Sequence, residues 1–512
     1  MSPKSKKEVN IMRKTFSLIL SVIMVLSLFT VGAFAAEGTA INSAEDFKNM
    51  TADGTYYLAA DITVSETYAG EFTGTLDGNG KTVTVSAPMF DKMNGTVKNL
   101  TTAGKIEYAA ANADEKVHIG AVAKNSVGGK FEKVTNKTAI TVTVATKECR
   151  VGGICGSVGT AAATFVNCRN EAAISGTEAT GGICGEAQKL DTTFEDCYNK
   201  GAISSSGTAS GVAAGGIIGY SGTDIVTLKN CTNDGNITSG YRAGGIQGDA
   251  RKSANVTYCI NNGTVKGDNI SGGIVGYSGD SGINFGTTVK NCINNGEVTG
   301  TGPSTGGAAG ILGYAWASNS DAAKATTLEN CINNGNINLV TKGFASEFVA
   351  YTNSQYTVIK NCIGVGKINA TGNEGELFLC IVGMSNSDIT KYTIENLFIA
   401  DGGATKLLSW ATDEANAKNR VEFSAVDGKN LEGSETVKAV TRGELNADFV
   451  AKANTAIGSE LFALKDGKVV FASSTPAPTP TGDTAAYVAV AAVAAVVILG
   501  AALVSKKRTI AE

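Results

Sequence analysis

Between residues 97 and 403, apolar and polar positions repeat in one frame ten times. An apolar residue is followed three places on by Cys, two further by Asn, two further by Gly and two further by Ile or Val. The clearest copies read Val289-Lys-Asn-Cys292-Ile-Asn294-Asn-Gly296-Glu-Val298 and Leu328-Glu-Asn-Cys331-Ile-Asn333-Asn-Gly335-Asn-Ile337. The Cys place is held in turn by Leu100, Val134, Cys168, Cys197, Cys231, Cys259, Cys292, Cys331, Cys362 and Leu397, at intervals of 28 to 39 residues. A fixed frame with tolerated insertions is how stacked coils behave, because a unit that cannot bury its own apolar face must lean on its neighbours.

A second element precedes each central copy: Gly153-Ile-Cys-Gly, Gly182-Ile-Cys-Gly, Gly216-Ile-Ile-Gly, Gly245-Ile-Gln-Gly, Gly273-Ile-Val-Gly and Gly310-Ile-Leu-Gly. Each unit thus carries about three short β segments, too short and Gly-rich for the helices of a helical solenoid. The pattern predicts an all-β solenoid. Side chains alternate along a strand, so inward residues three apart need a corner between them, while Cys, Asn and Gly at even offsets share a face until the chain turns. Asn-x-Gly is read as that turn, with Asn or Gly in left-handed backbone. Stacking places Cys over Cys and Asn over Asn at about 4.8 Å, so ten coils make a rod on the order of 50 Å long.

These paired elements resemble GLUG repeats, the Gly-Ile-Val-Gly plus Cys-x-Asn-x-Gly units of secreted and surface proteins from Gram-positive and Bacteroides-type bacteria. The resemblance spans about residues 119 to 370 and implies a right-handed parallel β-helix and a surface location. Phe72-Thr-Gly-Thr-Leu-Asp-Gly-Asn-Gly-Lys-Thr-Val resembles an entry coil of such proteins. Thr441-Arg-Gly-Glu-Leu and Ile457-Gly, followed by Leu461-Phe-Ala-Leu, resemble a terminal segment that closes them.

The termini predict export and anchoring. Lys4, Lys6, Lys7, Arg13 and Lys14 precede an apolar run from Phe16 to Val31 and then Ala33-Phe-Ala35, the layout of a signal peptide cleaved between Ala35 and Ala36. Near the other end, Pro476, Pro478 and Pro480 keep a Thr/Ser/Ala-rich stretch extended, and twenty uncharged residues from Ala485 to Val504 suffice for a membrane helix. Lys506, Lys507 and Arg508 hold the tail inside. Thr481-Gly482-Asp resembles a sortase sorting signal, although Thr479 stands where that signal has Pro.

The expected organisation is therefore a signal peptide over 1–35, an N-terminal cap and entry coils over 36–96, and GLUG-like coils over 97–403. A C-terminal capping region follows over 404–472, then a linker over 473–484, a transmembrane anchor over 485–504 and a basic tail over 505–512. Without the two charged termini, the chain's 43 basic and 47 acidic residues leave a net charge of about −10, which disfavours nucleic acid as a partner.

Eleven cysteines in an exported chain suggest a disulfide framework, but seven share one repeat register and Cys155 and Cys184 share another. Side chains stacked in parallel register point the same way, which favours a buried thiol ladder of Cys168, Cys197, Cys231, Cys259, Cys292, Cys331 and Cys362, beside an amide ladder including Asn294 and Asn333. No paired Cys-x-x-Cys spacing suggests zinc, and no metal or cofactor is expected.

The catalytic inventory is thin. His118 is the sole histidine, which rules out His-Glu-x-x-His chemistry, and its place in Val117-His-Ile119 suggests a solvated or structural role. Asp249-Ala-Arg251-Lys252 is the densest charged spot in the repeats and is read as a solvated turn. The intervals after Gly276 and Gly313 lengthen in two consecutive coils, raising loops over 277–288 and 314–327. These hold Tyr277, Asp280, Asn284, Phe285, Tyr314, Trp316, Asn319 and Asp321, a set suited to stacking on pyranose rings and bonding their hydroxyls. The competing reading makes Tyr220, Tyr277 and Tyr314 a structural aromatic ladder. Adhesion or glycan binding, with Tyr277, Asp280, Tyr314 and Trp316 as contacts, is the favoured function, with a glycan or another surface protein as the partner. A carbohydrate-active enzyme on a β-helix and a purely structural stalk are the alternatives.

Overall fold

The computed structural model describes residues 37–472 except 112–115, 145–147, 190, 223–224, 281–285, 303–305, 318–321, 341–342, 355, 371–377, 386–391, 403–405, 409–420, 423–436 and 439. The signal peptide with Ala35 and Ala36, the linker, the anchor and the Thr481-Gly482 motif lie outside the described residues. Among the described residues no helix is long and apolar enough to cross a membrane.

One coil shows how the repeat folds. β1 (Thr164–Val166), β2 (Arg169–Asn170) and β3 (Ile174–Gly176) belong to one long sheet, and β4 (Ala179–Gly181) and β5 (Cys184–Ala187) to a second. Each strand pairs in parallel with its counterpart one coil on: Phe165 with Phe194, Asn170 with Asn199, Ile174 with Ile203, Ala179 with Ala213 and Cys184 with Ile218. The chain is a parallel β-solenoid. Its frame column extends from Leu76 through Val97 and Phe131 to Ile359 and Ile394, every member fully buried.

The corner required by the three-residue offset lies between the apolar residue and Cys. There the backbone turns left-handed at Asn99, Lys133, Asn167, Asp196, Asn230, Tyr258, Asn291, Asn330, Asn361 and Asn396, with φ between 51° and 57°. This corrects the expectation that Asn-x-Gly supplies the left-handed turn. A bend does follow the Asn, but its glycine is needed for closeness. A Cβ on Gly235, Gly263, Gly296 or Gly335 would fall on the carbonyl oxygen of the glycine one coil back. The Asn closes this bend itself, as where Asn233 Nδ2 donates to the Gly235 carbonyl at 2.8 Å.

Phe131, Phe165 and Phe194 stack in the interior at 4.7 Å and near-parallel planes. Beside them the ten cysteines whose side chains are described are all free and buried. The seven in the repeat register donate to the carbonyl of the frame residue one coil earlier, as Cys231 does to Phe194 at 3.4 Å and Cys331 to Val289 at 3.4 Å. Burial pushes the thiols of Cys184, Cys197, Cys259 and Cys362 well above the ordinary range, so they persist as small apolar groups.

The amide ladder is continuous and polarised. Asn136 donates to Asn170, Asn170 to Asn199, Asn199 to Asn233, Asn233 to Asn261, Asn261 to Asn294 and Asn294 to Asn333, each Nδ2 to the next Oδ1 at 2.7 to 2.9 Å. All seven are fully buried. The first glycine of each Gly-Ile-x-Gly makes room for them, because a Cβ on Gly182, Gly245 or Gly310 would collide with Asn199, Asn261 or Asn333.

The ladder stops at an exchange of residues. In β6 (Gly343–Thr352), Glu347 takes the place of that first glycine, and the Asn place in the same coil becomes Gly364. The carboxylate reaches across the core into the space Gly364 leaves and accepts Asn333 Nδ2 at 2.8 Å. A carboxyl oxygen at the donating end gives the last amide of the chain the acceptor that the missing asparagine would have supplied.

Helix α1 (Ala44–Lys48) puts Phe47 against Phe90 at the N-terminal end, with ring centroids 5.4 Å apart. At the other end, α2 (Ala447–Ile457) and a hairpin of β7 (Phe462–Lys465) and β8 (Lys468–Phe471) lie along the flank of the first sheet. They cover the outward residue after Cys in successive coils: Ile293, Ile332, Ile363 and Phe398.

Candidate functional site: an outer crease with an aromatic end

In the second sheet the two strands of a coil fold towards each other. A Cβ on Gly181, Gly215 or Gly244 would fall on the carbonyl of Cys184, Ile218 or Gln247, so glycine permits a crease on the outer face. Two columns line it. One runs His118, Arg150, Ala179, Ala213, Arg242, Ile270, Gly307 and Phe344. The other, directly after the second glycine of each element, runs Asn125, Ser157, Glu186, Tyr220, Asp249, Tyr277, Tyr314 and Tyr351.

Side chains pair across this crease and along it. His118 Nδ1 meets Asn125 Oδ1 at 2.5 Å, which gives the histidine a structural partner. Arg150, only 5 % exposed, lies 3.0 Å from Glu186 and 2.7 Å from Glu178, with its guanidinium over the Tyr220 ring. Burial alone would lower its pKa, but Glu186, Glu178 and Glu148 outweigh that and hold it raised. Further along, Arg242 pairs with Asp249 and covers the Tyr277 ring at 3.6 Å, while Arg251 bridges Asp249 at 3.2 Å and Asp280 at 3.7 Å.

Asp249-Ala-Arg251-Lys252 is thus not the solvated turn expected. Asp249 is fully buried between two guanidinium groups, and Lys252 alone of the four is exposed. The physical reason is register, since Asp249 stands between Tyr220 and Tyr277 on the crease wall. The sequence reading passed over Arg150, Glu178, Glu186 and Arg242. Only Glu186 carried a signal, as a member of the column directly after the second glycine of each element, where Ser157, Tyr220, Asp249 and Tyr277 are polar or aromatic.

Beyond Asp249 the crease becomes aromatic. Tyr277 stacks on Tyr314 at 4.7 Å and Tyr314 on Tyr351 at 4.4 Å, so both faces of Tyr314 are taken. Tyr220 shares the column, with Asp249 between it and Tyr277. Burial above all pushes the Tyr220 and Tyr277 phenols up to about 12, and raises Tyr314, which also faces Tyr351 and Tyr277. Trp316 stands edge-on to Tyr314, 6.4 Å between centroids, and remains partly exposed. It pairs in register with Gly279, which puts Asp280 beside it on the preceding coil. Of the four expected contacts, Tyr277 is buried under Arg242, whereas Asp280, Tyr314 and Trp316 are each partly exposed, with the Asp280 carboxylate on the Arg251 side. Asn284, Phe285, Asn319 and Asp321 lie outside the described residues.

No protein-family model matches the chain, and no curated protein matches it. Among solved structures it is similar to one from Bacteroides ovatus provisionally described as an immunoglobulin A1 protease. That likeness has 14% identity over 86% of this chain and 93% of the other, with a TM-score of 0.28. A likeness this weak carries neither topology nor activity across.

Proposed function

We propose that this chain is an exported, surface-anchored solenoid of the GLUG-repeat kind that binds a glycan at the aromatic end of its outer crease. The observation carrying this is that a partly exposed Trp316 stands edge-on to the stacked Tyr314 ring and pairs in register with Gly279, next to Asp280, where two consecutive coils lengthen. An indole face and a neighbouring carboxylate suit a pyranose ring and its hydroxyls. The stacked tyrosines serve as a rigid floor and offer edges and hydroxyls to a ligand. Surface display is supported by the charge and hydropathy of the two termini. On a glycan array, the full chain should retain a defined set of sugars, and Trp316→Ala should weaken their capture at least about tenfold while leaving the melting temperature unchanged. Equal capture by both proteins, or capture of nothing by either, overturns the reading.

A further inference from the structure

We propose that residues 444–472 form a strap that opens from the flank as a unit while the solenoid stays folded. The apolar contacts beneath the strap make a cluster of their own: Ile293, Ile332, Ile363 and Phe398 from the rod against Phe449, Val450, Ala453, Phe462 and Val469. It shares no residue with the cluster that fills the solenoid from Ile41 to Val440. Removing the strap uncovers outward side chains and leaves the interior ladders untouched.

The strap's own construction is cohesive. Asn446 caps α2 by accepting from the Phe449 amide at 2.9 Å, and Gly458 ends it in left-handed backbone. Buried Asn454 joins helix to hairpin, taking the Phe462 amide at 2.9 Å and giving to its carbonyl at 2.8 Å. Asn334 joins hairpin to rod in the same way through Val469, at 3.0 and 2.9 Å. Strand Thr441–Gly443 still belongs to the rod, paired with Phe398, Ile399 and Ala400, so Glu444 to Asn446 is the hinge.

The rod changes where the strap lies. The residue after Cys is Arg169, Tyr198 and Thr232 in earlier coils, then Ile260, Ile293, Ile332 and Ile363. Ile332 and Ile363 are fully buried although they point away from the core. Such a stripe on an outer face exists for what covers it, and a cover held through its own cluster is a separate cooperative unit.

Hydrogen exchange on the full chain tests this. Amides of 447–471 should exchange together and ahead of those in 288–294 and 326–333, and Phe449→Ala should speed the strap alone by about a hundredfold. Asn334→Ala should act in the same direction by about tenfold. If Phe449→Ala prevents the strap from docking, limited proteolysis should cut between 443 and 472 and leave the rod intact. One common exchange rate for strap and rod, or equal loosening of both by Phe449→Ala, overturns the proposal.

Discussion

The amide ladder inside the first sheet and the outer crease of the second are both built from positions that recur once per coil, one for the ladder and two for the crease, and they fill them by opposite rules. Inside, one residue repeats, because a neutral amide can accept from one neighbour and donate to the next indefinitely. The seven asparagines from Asn136 to Asn333 do so with every donor aligned. In the crease a repeated charge would face its own kind about 4.8 Å away. Arg150 therefore reaches one coil on to Glu186 and two coils on to Tyr220, and Arg242 and Arg251 share Asp249. Repetition specifies the solenoid, and departure from repetition marks what sets this chain apart.

The sharpest test of that contrast is a charge placed inside. Asn233→Asp keeps the shape and still accepts from Asn199, but it cannot donate to Asn261 or to the Gly235 carbonyl, and it turns a buried anion towards both oxygens. A loss of about 3 kcal/mol or more in chemical unfolding is expected, the usual consequence of an unpaired buried charge. A loss below about 1 kcal/mol would mean that the ladder is wet or broken and that inside and outside obey the same rule.

Next in size is the exchange that ends the ladder. Glu347→Gly should cost about 2 kcal/mol by leaving Asn333 Nδ2 with only the Gly335 carbonyl of its two acceptors, and Gly364→Asn about as much by driving a side chain into the Glu347 carboxyl group. Together the two substitutions restore the repeat and should recover the loss to within about 1 kcal/mol. Additive losses would show that Glu347 and Gly364 are unrelated departures from the pattern.

Much of this was legible in the sequence for a simple reason: in a parallel solenoid the same frame position recurs over itself, so periodicity alone gives the Cys and Asn columns. The bend was misjudged because Asn and Gly carry two meanings, left-handed backbone and close approach. Here Asn167 and its equivalents take the first while Gly235 and its equivalents take the second. The crease was not legible, since Arg150 and Glu186 belong to different columns of different coils and no spacing links them. The switch from Thr232 to Ile260 after Cys was plain to see, but its meaning depends on a helix and hairpin far along the chain.

The smallest effect separates crease from open surface. Arg242→Ala leaves Asp249 fully buried with Arg251 as its remaining partner and uncovers the Tyr277 ring, so a loss of about 2 kcal/mol is expected in the same unfolding measurement. Lys229→Ala also removes a close ion pair, 2.6 Å from Glu195, yet both side chains are close to half exposed. Water already screens that pair, and its loss should stay under about 1 kcal/mol. If the two substitutions cost the same, the crease is merely surface, and the alternation of charge along it is solubility. If Arg242→Ala costs more, the crease is a second, heterogeneous core laid along the outside of the first, and its aromatic end is preorganised by the same packing that buries Asp249.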